Sequence, residues 1–173
     1  MFIRTISAAV VACGLLFAST ASFAQNQRGP STAEERQKAL DIIHSWQQNP
    51  LGPKAKDQTA WVLRWVAEVP DLTVDLCSIF DQFPKGDKKD SSTVFAGMFM
   101  AQTAFVIENP DKRGDLLAEY QAGVEGALHV YEVLLKANPK DRQPYFDDLI
   151  QRRDQGTLTG FVKERVVAAG CKK

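Results

Sequence analysis

Residues 94–107, Val-Phe-Ala-Gly-Met-Phe-Met-Ala-Gln-Thr-Ala-Phe-Val-Ile, form the most apolar run beyond the N-terminal segment. A helix that is apolar on every side has to be buried, whereas a helical membrane span needs about 20 such residues. The run therefore predicts the central helix of a water-surrounded helical domain. Asp90, Ser91 and Ser92 are suitable N-caps before it, and Asn109-Pro110 stops it. Its side chains divide into a small stripe, Gly97, Ala101 and Ala104, and bulky residues including Phe95, Phe99, Phe105 and Val106. Small residues let a second helix backbone come close, and close packing compensates the helix propensity that Gly97 gives up.

The next long periodic segment supplies that second helix. Leu117, Tyr120, Val124, Leu128, Tyr131 and Leu135 recur at helical spacing between Asp115 and Asn138-Pro139. Ala118, Ala122 and Gly126 form a small stripe on it, with Gly123 and Ala127 alongside. A short Pro/Gly connection between two such helices predicts an antiparallel hairpin, 91–108 against 115–137.

Outward from this pair the chain is a succession of helices and breakers. Thr32 and Glu35 have capping-box spacing, and Ala39, Ile42, Ile43 and Trp46 mark a helix ending near Gln48. Asn49-Pro50-Leu51-Gly52-Pro53 breaks it. A second helix over about 54–68 carries Trp61, Trp65 and Val69 on one stripe and Val62 and Val66 on the next, with Leu63 beside them. Pro70 ends it, and Asp71 is placed to cap a third helix over 72–83, which contains Cys77. Lys85 to Asp90 is a charged loop. After Pro139, Pro144 opens a short helix bearing Phe146, Leu149 and Ile150, and Leu158, Phe161, Val162, Val166 and Ala169 describe a last one closed by Gly170. No alternating β-branched run occurs. The expected fold is all-α: one domain of about seven helices over residues 31–173, a helical bundle or α-α stack.

The N-terminus has the pattern of an address. Arg4 precedes an apolar stretch from Ile6 to Phe17, and Ala21-Ser22-Phe23-Ala24 offers a cleavage site, so residues 1–24 are expected to be a signal peptide cleaved after Ala24. Val11-Ala12-Cys13 suggests a lipoprotein box, but the apolar run before Cys13 is short for that. A polar arm, 25–30, follows. The expected location is periplasmic or secreted, with no integral span after leader removal. Export would leave two cysteines, Cys77 and Cys171, and an oxidising compartment favours their pairing.

The segment from Ala122 to Asp141 resembles the second helix of a tetratricopeptide repeat, through the small Ala127, the aromatic Tyr131 and the closing Pro139. It departs at Leu134, and no second copy lies at the repeat's spacing of about 34 residues. The resemblance implies a turn at Gly123; the bundle reading runs the helix straight through, and we favour the latter.

For function, composition mainly excludes. The 21 basic and 21 acidic residues balance, and no clustered basic face marks a nucleic-acid binder. No nucleophile elbow, phosphate-binding loop, dinucleotide fingerprint or Cys/His signature is present, and no cofactor is implied. Glu125, His129 and Glu132 share a helix face, yet no Glu-x-x-His pair occurs and no metal site is expected. Trp46, Trp61 and Trp65 fit core packing better than a ligand groove. Gln102 and Thr103, polar residues in the most apolar run, and His129 are the candidates for facing a ligand. The expectation is a non-enzymatic exported protein that binds another envelope or secreted protein, displaying an apolar patch or a groove between helices. The alternatives are a bundle binding a small ligand or metal, and a tetratricopeptide-like scaffold.

Overall fold

The computed structural model of the chain describes residues 28–76 and 91–171. Among these residues there are six α-helices and no strand: α1 (Ala33–Gln48), α2 (Ala55–Glu68), α3 (Ser91–Glu108), α4 (Leu116–Ala137), α5 (Pro144–Asp154) and α6 (Leu158–Ala168). Two single 3-10 turns, Pro110–Lys112 and Pro139–Asp141, begin at the prolines that follow α3 and α4. The expected leader, Cys77 and the expected charged loop lie outside the described residues.

The apolar run is the middle of the molecule. Val94, Met98, Phe99, Met100, Ala104 and Val106 of α3 are all buried, and so are Gln102 and Thr103. The Thr103 hydroxyl is satisfied within the helix, donating to the Phe99 carbonyl at 2.8 Å. α4 is the principal partner of α3; α1 and α2 pack on the α3 side, and α5 and α6 on the α4 side. One core cluster runs through all six helices, from Ile43 and Trp46 to Leu149 and Val162. A smaller one gathers Ala39, Trp65, Val69, Leu72 and Val106.

The α3–α4 contact depends on missing side chains. A Cβ placed on Gly126 would lie 2.3 Å from the Ala101 Cβ and 2.8 Å from the Gly97 carbonyl oxygen. One on Gly97 would lie 2.5 Å from Val130 Cγ2. Beside Gly126, Gly123 also meets α3: a Cβ there would lie 2.7 Å from Gln102 Cγ. The α4 helix is unbroken at Gly123, which excludes the repeat-type turn there. Asp115 caps it by accepting from the Ala118 amide at 3.1 Å.

The remaining boundaries follow local chemistry. Thr32 and Glu35 form the full capping box at α1. α5 and α6 both end on a glycine with positive φ, Gly156 (71°) and Gly170 (62°). The bonds Thr157 N to Arg152 O and Cys171 N to Val166 O give each end the Schellman pattern. Tyr131, fully buried on α4, fixes where α5 begins: its hydroxyl accepts from the Gln143 amide at 2.7 Å and donates to Asp147 Oδ1 at 3.0 Å.

A helix expected from Leu72 is not formed over residues 72–76; residues 77–83 lie outside the described segments. Asp71, the anticipated cap, is used elsewhere. Its carboxylate accepts from the Ser31 amide at 2.7 Å, the Ser31 hydroxyl at 2.8 Å and Arg36 Nη2 at 2.8 Å. It thus closes the start of α1 onto the end of α2 instead of serving the amides that follow it. Phe95, expected among the packed bulky residues, is 42% exposed because it lies on the outer side of α3.

Two measurements test this packing. Gly126→Ala should destabilise the fold by about 1–3 kcal/mol in denaturant titration, since both clashing groups belong to the facing helix. Gly160→Ala on α6, where a Cβ meets nothing within 4 Å, should instead stabilise it by about 0.5–1 kcal/mol. Asp71 tests the latch. Partial burial raises its pKa, but the bonds from Ser31 and Arg36 outweigh that and hold the carboxyl below its usual range. A lowered folded pKa gives stability that is present above the unfolded value of about 4 and is lost as pH falls through the folded one. Asp71→Asn should therefore flatten the acid limb of a stability–pH curve, measured by denaturation between about pH 5 and 2.

Candidate binding groove

The α1–α2 turn is rigid and short. Asn49 N donates to Trp46 O and Gly52 N to Asn49 O, both at 3.0 Å, so the chain reverses within a few residues around Pro50. The reversal leaves Leu51 at the surface, 48% exposed, with no helix in front of it. On α2 the buried positions are Ala55, Val62 and Trp65. Leu63 is one residue off that stripe and is 44% exposed. The first turns of α3, through Ser92, Thr93 and Ala96, form the facing wall.

Together these walls enclose an open groove of about 560 Å³. Leu51, Ala60, Leu63 and Ala96 give it an apolar lining, Trp46 contributes to the floor, and Lys56 supplies a cation. Trp46 is fully buried, and its indole Nε1 has no hydrogen-bond acceptor among the described residues. An indole N–H is a donor only, so none of the described residues satisfies this group. The hydroxyl of Thr59 is already used, donating to Ala55 O at 2.9 Å.

The other two tryptophans serve packing. Trp61 and Trp65 stack with centroids 6.0 Å apart, and Lys38 Nζ lies 4.7 Å from the Trp61 ring. They stiffen the side of α2 that faces α1 and the smaller core.

The residues singled out from sequence do not converge. Gln102 is 1% exposed, donates to the Asp75 carbonyl at 3.4 Å, and leaves its Oε1 without a partner among the described residues. Thr103 is satisfied by its own helix. His129 is exposed on α4, with Nε2 3.2 Å from the Gln47 carbonyl, in a shallow hollow it shares with His44. His44 Nε2 lies 3.4 Å from Glu108 Oε1.

The carboxylates flanking His129 are separately engaged. Glu125 accepts from Gln121 at 2.8 Å, and Glu132 takes a bidentate grip from Arg153 at 2.7 and 3.2 Å. The Arg153 hydrogen bonds, opposed by partial burial, hold the Glu132 pKa below its usual range. No group of three or more His, Cys, Asp or Glu able to hold a metal occurs among the described residues. Cys171 is half-buried against the main core; its expected partner, Cys77, lies outside the described residues.

A larger hollow of about 630 Å³ between α4 and α5 is charged, but apart from Lys136 its charged groups are paired within the fold. Arg142 pairs with Asp147 and Arg153 with Glu132. Sequence reasoning missed Leu51 and Leu63 as surface groups. The available signals were a leucine inside a double-proline turn, and a leucine off the buried stripe of its helix.

No protein-family model, curated protein or solved structure matches this chain. Among the described residues, no helix is long and apolar enough to cross a membrane.

Proposed function

We propose that the chain is an exported, non-enzymatic protein that binds another envelope or secreted protein through the Leu51/Leu63 groove. The observation that carries this reading is the open apolar lining itself: two large aliphatic side chains, Leu51 and Leu63, stand in water on the walls of one groove. Grouped exposed apolar side chains on a soluble domain favour association. The complementary partner is an apolar segment with an acidic flank, its aliphatic residues against Leu51 and Leu63 and its acid facing Lys56. Export rests on the leader pattern at residues 1–24.

A photo-crosslinking residue at position 63 of the full-length chain, expressed in cells, should give a discrete adduct with an envelope or secreted protein. Leu51→Asp should abolish the adduct. The same label at Lys163 should give none. Leu63→Asp should change stability by no more than about 0.5 kcal/mol, because the side chain is outside the core. An adduct equally strong from position 163, or none from position 63, rejects the groove as the binding surface.

Export also bears on the cysteines. In the proposed mature chain Cys77 and Cys171 form a bridge that closes a long loop onto the C-terminus. In the chain-entropy description such a bridge stabilises by about 4–5 kcal/mol. Thiol reductant should therefore lower Tm clearly, and an unchanged Tm would argue against the bridge.

A further inference from the structure

A second cleft, of about 370 Å³, lies at the other end of α3, between the residues after α2 and the start of α4. It falls in the range of small-molecule pockets, roughly 300–1,000 Å³. Its charged groups differ from those of the α4–α5 hollow because they are not paired with one another. Glu119 is 3% exposed, and its Oε1 accepts from the Gly114 amide at 2.6 Å. No cation of the described residues lies within 4 Å of Glu119 or Asp75. Arg113 lines the same cleft. Its Nε donates to the Val106 carbonyl at 3.0 Å, while its Nη2 is buried with no acceptor among the described residues. Behind the wall, the amide of Gln102 reaches the Asp75 carbonyl and keeps an unpartnered acceptor, Oε1. Asp71 also borders the cleft but is already neutralised by Arg36.

Opposite charges withdrawn from water attract strongly, so a guanidinium and carboxylates that share a cleft without meeting leave a place for an ion of the inverse pattern. The inverse of one guanidinium and two carboxylates is one carboxylate and two cationic groups. We infer that this cleft binds a free basic α-amino acid, its carboxylate on Arg113 and its two cationic groups on Glu119 and Asp75. The wall contributed by Val106 suits the methylenes between those charges. The site is separate from the Leu51/Leu63 groove and does not depend on partner binding there.

Isothermal titration of the full-length chain with L-lysine, L-alanine and 1,5-diaminopentane tests the three contacts separately. Lysine should bind, with each of the others at least about tenfold weaker, because each lacks a charge-assisted bond. Glu119→Gln, which keeps an acceptor for the Gly114 amide, and Arg113→Gln should each weaken lysine by about tenfold or more with an unchanged circular dichroism spectrum. Absence of heat with lysine at millimolar concentration overturns the inference. So does diaminopentane or alanine binding as well as lysine. If either variant fails to fold, the ligand series on the unaltered chain decides the matter.

Discussion

Two helix backbones, α3 and α4, touch because Gly97, Gly123 and Gly126 present no side chain at the crossing. That contact buries one side of a largely apolar helix. From Val94 to Val106 α3 has no continuous polar face to turn toward water, so most of its surface needs a neighbour. α4 can cover one side only by coming close enough for the methylenes of Met98 and Gln102 to lie over Gly123. α1 and α2 take a further part of the α3 perimeter, while α5 and α6 pack against α4. Interiors packed at crystal-like density tolerate little added volume, so the outer hairpins inherit their positions from the separation of the central pair.

The outer hairpins are fastened by polar groups, and their fit to the centre is incomplete in two places. The Asp71 carboxylate ties α1 to the end of α2, and the Tyr131 hydroxyl ties α4 to the start of α5. An opening lies at each end of α3. At its first turns the opening is apolar, with leucines in solvent. At its last turns the opening is charged, with Arg113, Glu119 and Asp75 facing a common space. One end thus favours an aliphatic partner and the other an ion, although both lie on the same helix.

The sequence disclosed what periodicity and capping encode. The α3–α4 pair, the capping box at Thr32, the uninterrupted α4 and the terminal role of Gly170 follow from spacing and from single-residue backbone preferences. What escaped was long-range pairing. Asp71 looks like a cap because nothing local indicates that Ser31 and Arg36, some forty residues earlier, claim its oxygens. Phe95 looks like core because its neighbours are, yet it sits on the outer side of an apolar helix. The two openings were illegible for the same reason: Leu51 with Ala96, and Arg113 with Asp75, become neighbours only through tertiary packing. Gln102 is conspicuous as a polar residue in an apolar run, but its sequence neighbours say nothing of the Asp75 carbonyl it reaches.

The Ser31–Asp71 latch has an evolutionary side. One of its two bonds from position 31 is made by the main-chain amide, at 2.7 Å, and every residue type but proline carries that donor. Drift at position 31 therefore removes the hydroxyl's share and leaves the amide's in place. Position 71 has no such reserve, because both accepting oxygens belong to one side chain. Across diverging copies of this chain, the acid should be held far more strictly than the serine it faces, with proline the residue missing from position 31.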